Sequence, residues 1–223
     1  MKYQTIALAG IFALGLSLAS CSGSSKGEGS VAASEAAAVS DVAAEALAVD
    51  STASALSWKG FKPGGEHYGK LPISAGQLDI KDDVLHGGYV TIKMNGIIVE
   101  DLKAEEGRDK LKAHLEGEDF FDAAKYPEAK FELTDVPAEG LKIADIKELK
   151  GNLTLKDVTK NITIPVASIQ RDAATGKYSF TSQTFRINRA DWNVKYGSKS
   201  FFTGLGDKFI NDEIELSFVL QTL

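Results

Sequence analysis

Eight segments of the chain follow a period-two pattern of apolar and polar residues, and this alternation constrains the fold more than any other feature. It is clearest in "FELT", "NLTLK" and "IELSF", where one face of an extended strand would be apolar and the other polar. Glycine, asparagine and aspartate punctuate the segments, as turns between short strands require. The pattern predicts strands at 55–62, 70–80, 84–99, 128–136, 144–156, 160–170, 176–188 and 212–222.

One segment in this region, 105–117, departs from the alternation. Leu111 and Leu115 are four positions apart there, which gives a short helix with a narrow apolar stripe. A helix this short is better suited to covering the end of a sheet than to crossing between parallel strands. We therefore expect one short capping helix and antiparallel strands.

Glycines bear on whether the strands form a barrel or a sandwich. Gly87, Gly88 and Gly96 interrupt the longest predicted strand, and glycines within strands often mark bulges where a sheet curls. We favour an all-β fold, an eight-stranded antiparallel barrel, although periodicity leaves a sandwich open as the alternative. Eight strands enclose an interior that either side chains or one slender ligand can fill.

The N-terminus predicts export and membrane attachment. Lys2 precedes an apolar run at 5–20 that is too short to span a bilayer comfortably, which is typical of a leader peptide. The following "LASC" resembles the lipobox of bacterial lipoproteins, so Cys21, the one cysteine in the chain, is expected to be lipidated. An ordinary secretory leader with a free thiol is the alternative. Ser22, rather than Asp, is expected by the same resemblance to direct outer-membrane sorting.

Composition divides the rest of the chain into a linker and a domain. Residues 21–53 are rich in Ser, Gly and Ala and have no aromatic residue, so we predict a disordered stalk after the lipidated cysteine. The strand pattern begins near residue 54 and predicts one barrel domain over 54–223. Residues 1–20 are assigned to the leader.

Charge and motifs exclude several classes of function. The formal net charge is −6 and Lys and Arg do not cluster, which argues against nucleic-acid binding. His67, His86 and His114 lie in unrelated contexts without metal-ligand spacing, and no nucleophile motif is present. We therefore predict no catalytic residues, no metal and no cofactor.

Three clusters resemble the YceI-like family of secreted proteins. They are "WKGFKPGGEHYG" at 58–69, the segment 110–134 with its continuation at 149–166, and "INRADWNVKYGSKSFFTGLGDKFINDEIEL" at 187–216. The resemblance implies a lipocalin-like barrel that binds polyisoprenoid or related lipids. With its lipobox, the chain resembles the lipoprotein branch typical of Bacteroidetes-type bacteria. Ala190 stands where many relatives are expected to have a hydroxyl residue.

Recognition of a lipid needs a long apolar tunnel with polar groups at its mouth rather than a catalytic group. Aromatic side chains are the candidates for the lipid-binding wall: Trp58, Phe61, Tyr89, Phe120, Phe121, Tyr126, Phe131, Phe185, Trp192, Phe201 and Phe202. Polar candidates for the mouth are His67, Lys62, Arg189 and Lys195.

Three functions are left open by the sequence. The first is an outer-membrane lipoprotein, facing the periplasm or the cell surface, that holds a polyisoprenoid, quinone or similar long-chain lipid without turnover. The second is an interaction module with a filled barrel, whose loops, such as 195–208, bind another envelope protein. An enzyme acting on a lipid-like substrate is the third and least favoured. An exposed strand edge would also permit a homodimer.

Overall fold

A computed structural model describes residues 29–39 and 45–223 of the protein. Its one α-helix in these ranges is α1 (Arg108–Glu116), and five short 3-10 helices accompany it. The strands are β1 (Ser34–Glu35), β2 (Ala46–Ala48), β3 (Ala55–Lys62), β4 (Gly65–Lys81), β5 (Val84–Lys93), β6 (Ile98–Val99), β7 (Glu128–Leu133), β8 (Leu141–Lys142), β9 (Glu148–Leu155), β10 (Val158–Arg171), β11 (Tyr178–Ser182), β12 (Phe185–Asn188) and β13 (Glu213–Gln221).

The sheet closes on itself, which confirms the predicted eight-stranded antiparallel barrel. The order around the wall is β4, β3, β13, β11, β10, β9, β7 and β5, and β5 pairs with β4 to complete the circle. β12 continues the course of β11 and pairs with the other half of β13. Two predicted strands are shorter than expected, because 84–99 and 176–188 are each divided into two strands.

Tight turns join the long hairpins. Asp82 and Asp83, between β4 and β5, have φ angles of 52° and 59°, and Lys156 and Asp157, between β9 and β10, have 49° and 58°. Two successive positive φ angles are typical of the two-residue turns whose twist matches that of the flanking strands. The predicted pairing of the segments at 144–156 and 160–170 is therefore present in the structure.

A bulge lies at the predicted glycine interruption of β5. Asp79 pairs with Gly87 and Ile80 pairs with Leu85, so one residue of β5 is extra at this point. Gly88 has a φ of +145°, and a Cβ there would lie 2.5 Å from the carbonyl oxygen of Gln77. Only glycine fits this close approach, and the bulge helps the sheet to curl.

The capping helix closes one end of the barrel, which we call the capped end. Leu115 of α1 is buried there, and the adjoining Phe120 is 6% exposed. The 3-10 helix Arg189–Trp192 lies at the same end, where the indole nitrogen of Trp192 donates to the carbonyl of Leu153 at 2.9 Å. None of the helices in the described ranges is long and apolar enough to cross a membrane.

The described part of the predicted linker lies against the barrel, which departs from the disordered stalk predicted for 21–53. β1 pairs with β10, and β2 pairs with β4. Val49 also bridges to Thr222 beside the C-terminal strand. The composition of this segment did not predict the pairing, because the contacts are made by backbone groups, which every sequence has. The leader at 1–20 and Cys21 lie outside the described residues.

Candidate functional site

The barrel encloses an apolar cavity of ≈90 Å³. Strands β9 and β10 show how it forms: Leu149 and Leu153 on one and Ile162 and Ile164 on the other face inward at alternate positions. The full lining is Leu56, Ile73, Leu78, Leu85, Gly88, Tyr89, Val90, Ile92, Phe131, Leu133, Leu149, Leu153, Ile162, Ile164, Phe180, Phe185, Leu216, Phe218 and Leu220.

The exposed wall of this cavity is made of carbon atoms, without an accessible polar atom. Such a space is unfavourable for water, which needs two to four polar partners, and favourable for hydrocarbon. It offers neither a nucleophile nor a general base. Its chemistry is therefore restricted to burying an apolar group.

Two smaller cavities of ≈70 Å³ each lie toward the capped end. Leu216 lines both the main cavity and the nearer small one, so its side chain stands between them. The two small cavities share Trp58, Gly60, Leu115 and Phe120 in their walls. The interior is thus neither solid nor one open tunnel, but a row of apolar spaces divided by side chains.

Trp58 places a polar donor in the wall of the two small cavities. Its indole Nε1 is buried and has no hydrogen-bond partner among the described residues, while its ring lines both small cavities. A buried Trp N–H usually has an acceptor, and leaving a buried donor unpaired costs about 1–3 kcal/mol. A guest molecule with an oxygen atom at this position would satisfy it.

The outer small cavity ends at a polar mouth formed by Lys62, His67 and His114. His67 Nδ1 lies 2.7 Å from Asp101 Oδ2, and its Nε2 lies 3.2 Å from Lys62 Nζ. Burial raises the pKa of Asp101, but hydrogen bonds from His67 and from the backbone amide of Tyr68 outweigh it, so the pKa lies below its usual value. The mouth therefore holds a carboxylate partly covered by a histidine.

Seven of the eleven predicted aromatic residues line these cavities. Tyr89, Phe131 and Phe185 face the main cavity, and the others lie at the capped end: Trp58, Phe61, Phe120 and Phe121.

The remaining four predicted aromatics lie elsewhere. Trp192 is completely buried but packs behind the wall, held by its bond to Leu153. Tyr126 lies half-buried beneath the ammonium of Lys125, 5.0 Å from its ring centre. Phe201 and Phe202 are 41% and 49% exposed on the loop after the 3-10 helix, so they face solvent.

Two of the four predicted mouth residues, His67 and Lys62, line the mouth. Arg189 instead is fully buried, and its guanidinium donates to the carbonyls of Asn211, Val194 and Ile210. Burial lowers its pKa, a shift that the nearby Asp212 opposes. Arg189 therefore holds the backbone of this loop in place through charge-assisted hydrogen bonds, and it does not line the mouth.

Lys195, the fourth predicted mouth residue, is exposed, and its ammonium lies 4.9 Å from the ring centre of Phe201. It therefore lies on the loop surface and not in the wall of the mouth cavity.

Aliphatic residues make most of the main cavity, and none of them is among the site residues predicted from the sequence. Leu78, Leu133, Ile164 and Leu220 are examples. Each occupies an apolar position of a strand in which apolar and polar residues alternate. If the strands are taken to form a closed barrel, the apolar positions of this alternation predict which side chains face inward. Within the described ranges, no group of three His, Cys, Asp or Glu side chains could hold a metal ion.

Comparison with known proteins agrees with this architecture. A model of the YceI-like domain family matches residues 47–222. The chain belongs to the YceI-like family. This confirms the resemblance inferred from the three sequence clusters, and the family match begins inside the predicted linker.

Curated YceI-like relatives match over shorter stretches. A UPF0312 protein of Pseudomonas syringae pv. tomato is 40% identical over 90 residues, which is 40% of this chain and 44% of the relative. Protein YceI of Escherichia coli O157:H7 is 35% identical over 108 residues, 48% of this chain and 52% of the relative. The chain thus matches about half the length of these relatives.

Solved structures share the fold at low sequence identity. Burkholderia cenocepacia BcnA is 21% identical with a TM-score of 0.58, covering 78% of this chain and 99% of that one. A polyisoprenoid binding domain from Saccharophagus degradans is 18% identical with a TM-score of 0.56, covering 79% of this chain and 97% of that one. Both confirm the lipocalin-like barrel.

Proposed function

We propose that this YceI-like barrel binds one long-chain lipid, a polyisoprenoid, quinone or similar molecule, without chemical turnover. The observation that carries the proposal is the carbon-lined cavity inside the closed barrel. The name of the Saccharophagus degradans domain, a polyisoprenoid binding domain, supports the choice of lipid class. In this YceI-like protein the apolar chain would occupy the main cavity.

The row of cavities gives the lipid an orientation. The oxygen-bearing head would lie toward the mouth, where the free indole N–H of Trp58 can donate to it and His67 and Lys62 can approach it. The tail would pass Leu216, whose side chain would have to rotate, and enter the main cavity. Each buried methylene contributes about 0.8 kcal/mol, so one five-carbon unit contributes up to roughly 4 kcal/mol before ordering costs.

Membrane attachment is a further part of the proposal. The lipobox-like "LASC" supports acylation of Cys21, and more than one acyl chain suffices for stable anchoring. A lipid-binding domain held at an outer membrane would exchange its guest with the bilayer beside it. The lipoprotein branch, the outer-membrane location and a homodimer stay predictions.

A second candidate rests on the exposed loop aromatics. Phe201 and Phe202 are adjacent and each is more than two-fifths exposed, so they place two aromatic rings side by side on the surface of the loop, and contiguous exposed apolar groups often mark interaction sites. This favours an interaction module that binds another envelope protein through the loop. The two candidates differ in whether the cavity has an occupant.

Two neighbouring residues of β13 provide a matched test. Leu220 lines the main cavity and is 8% exposed, whereas Val219 lies on the outer face and is 39% exposed. The full chain carrying Cys21→Ser would be purified in its parent form and with Leu220→Trp or Val219→Trp. Organic extraction followed by mass spectrometry would measure bound lipid, and circular dichroism would verify folding.

We expect stoichiometric long-chain lipid in the parent and in Val219→Trp, and at least a tenfold loss in Leu220→Trp because its indole occupies the cavity. Leu220→Phe, a smaller replacement, serves if the tryptophan variant does not fold. An empty parent extract, together with no stabilisation by added prenyl lipids, would refute lipid binding and leave the interaction module.

A further inference from the structure

The barrel wall has a seam between β10 and β12. β10 pairs with β11 only from Val166 to Arg171, and its first half pairs with β9 on the other side. β12 pairs with β13, and within the described residues it forms no strand pairing with β10. The two strand edges therefore face each other across a gap in the hydrogen-bonded wall.

Residues 29–39, which we call the strap, fill this seam. Val31 donates to the carbonyl of Arg186 at 2.8 Å, and the amide of Arg186 donates to the carbonyl of Gly29 at 3.1 Å. A few residues later, β1 of the strap pairs antiparallel with the first half of β10, with Ser34 opposite Asn161. The strap thus serves as the missing strand between β12 and β10.

Beyond the seam the strap crosses the outside of the wall over a row of polar side chains. Asn152 makes two bonds to Ala37, accepting from its amide at 2.9 Å and donating to its carbonyl at 2.7 Å. Asn161 donates to Asn152 and to Thr134, and Thr134 bridges to Val39 of the strap.

This row, Asn161, Asn152 and Thr134, belongs to three neighbouring strand positions whose side chains face outward, yet each is 9% exposed or less. Buried amides of this kind need partners, and the strap backbone provides them. The outer wall therefore carries a built site for an extended peptide, occupied by the chain's own N-terminal segment.

Few apolar contacts hold the strap. Val31 and Ala33 pack partly against the core, while the Glu35 side chain is 92% exposed. A segment with little buried apolar area opens locally at much lower free energy than the barrel it covers. The strap is thus the part of the described wall best suited to open while the fold persists.

The seam borders the main cavity directly. Ile162 and Ile164 come from the β10 edge and Phe185 from the β12 edge, and all three line the cavity. Opening the strap would expose these side chains to the outside from the flank of the barrel. The strap also lies ahead of residue 47, where the family match begins.

We propose that the seam is a lateral portal for the lipid and that the strap is its lid. The proposal rests on the lipid-binding function proposed above. Opening the strap lets a long apolar chain enter sideways between β10 and β12, without threading through the mouth at the capped end. An anchor at Cys21 would keep the strap within about 30 Å of the bilayer, because the seven residues between Cys21 and Gly29 can span no more than that.

Locking the strap tests the portal. Glu35 and Lys160 are direct antiparallel partners, so Glu35→Cys with Lys160→Cys, in the Cys21→Ser chain, can form a disulfide that ties the strap to the β10 edge of the seam. Uptake and release of a fluorescent farnesol derivative would be followed by stopped flow before and after reduction. Free-thiol titration would verify that the disulfide has formed.

We expect the oxidised protein to take up and release the probe at least tenfold more slowly, with an unchanged equilibrium constant, and reduction to restore both rates. The control, Ser57→Cys with Ser217→Cys, bridges β3 and β13 beyond the part of β13 that pairs with β12, and it should leave the rates unchanged. Equal rates in the locked and reduced seam variant would overturn the portal and leave the mouth as the entrance. No binding in either state would refute the proposed function and the portal with it.

A variant that loosens the strap provides the opposite test. Asn152→Ala removes both bonds to Ala37 and should speed probe exchange about fivefold. Thr154→Ala, an outward position on the same strand that bonds to Thr159 instead, should not. Equal exchange in both variants, with the folded state verified by circular dichroism, would contradict the lid.

Discussion

The barrel wall and the strap are held to the molecule by different forces. The wall buries large side chains such as Phe180 and Phe185, each 2% exposed, within a closed ladder of backbone bonds. The strap buries little apolar surface and depends on backbone pairs and on the amide of Asn152. Hydrophobic burial stabilises the wall, whereas the strap is held by hydrogen bonds that water can replace.

This difference would let one part of the molecule hold the lipid while another part lets it enter and leave. A cavity for an apolar guest needs a wall that does not open, because water would enter with every fluctuation. Exchange of the guest needs one element that opens at low cost. The protein assigns these tasks to different segments, and the following predictions test whether the division is real.

The largest effect is expected from the wall. Phe180→Ala should lower the free energy of unfolding by about 3–5 kcal/mol, because it removes a buried aromatic ring and enlarges the main cavity. Urea unfolding followed by circular dichroism measures the change. Phe201→Ala, on the exposed loop, is the control and should stay within about 0.5 kcal/mol of the parent. Comparable losses in both variants would contradict the inward packing.

The stability of the wall should depend on pH through a tyrosine at the end opposite the cap. Tyr178 is buried and donates to Asp83 at the β4–β5 turn, and burial followed by this bond raises its pKa to about 12 from 10.0. The unfolded chain loses the phenolic proton near pH 10 while the folded protein keeps it, so the free energy of unfolding should fall between about pH 10 and 12.

Tyr178→Phe should flatten that fall, as measured by urea unfolding at a series of pH values. Phenolate absorbance should show one tyrosine ionising later than the rest in the parent. An identical pH profile in the variant would show that the Tyr178–Asp83 contact is absent in solution.

The strap should respond by local rather than global opening. Asn152→Ala should lower the free energy of strap opening by about 1–3 kcal/mol, because it leaves the amide and the carbonyl of Ala37 without their partner. Hydrogen exchange measured by mass spectrometry should show faster exchange in residues 29–39 and little change in β9 and β10. Thr154→Ala is the matched control, and equal acceleration throughout the barrel would indicate that strap and wall open as one unit.

The smallest effect concerns the ion pair on the strap. Lys160 lies 2.7 Å from Glu35, but the Glu35 side chain is almost fully exposed, so solvent screens the pair. Glu35→Ala should leave both strap protection and lipid exchange unchanged within error. A clear loss of protection would show that charge, and not the backbone pairing of β1, holds the strap.

The sequence predicted the wall well because each strand carries its own signal. Alternation marked β3 over the same residues as the structure, and Leu111 and Leu115 marked the capping helix. The prediction of a closed barrel depended on glycines such as Gly88, because a glycine inside a predicted strand indicates a bulge at which the sheet can curl. These features are local, so one sequence suffices to detect them.

The strap and parts of the cavity could not be predicted for a physical reason. Strap residues bind through their backbone, so "SVAASEAAAV" gives no side-chain pattern to read. Aromatic content identified Phe131 and Phe185 as lining residues, but it could not separate them from Phe202, because size does not tell which side of the wall a residue faces. Asn152 gave no signal either, because polar residues occupy alternate positions along the whole of β9.

Photoaffinity labelling tests the central claim most directly. The full chain with Cys21→Ser would be loaded with a prenol that carries a diazirine near the end of its tail, irradiated, digested and sequenced by mass spectrometry. We predict labels on inward residues of the main cavity, such as Leu153, Ile164 and Phe180. Labels confined to the outer loop at Phe201 and Phe202, with the interior unmodified, would contradict an account in which the barrel itself holds the lipid.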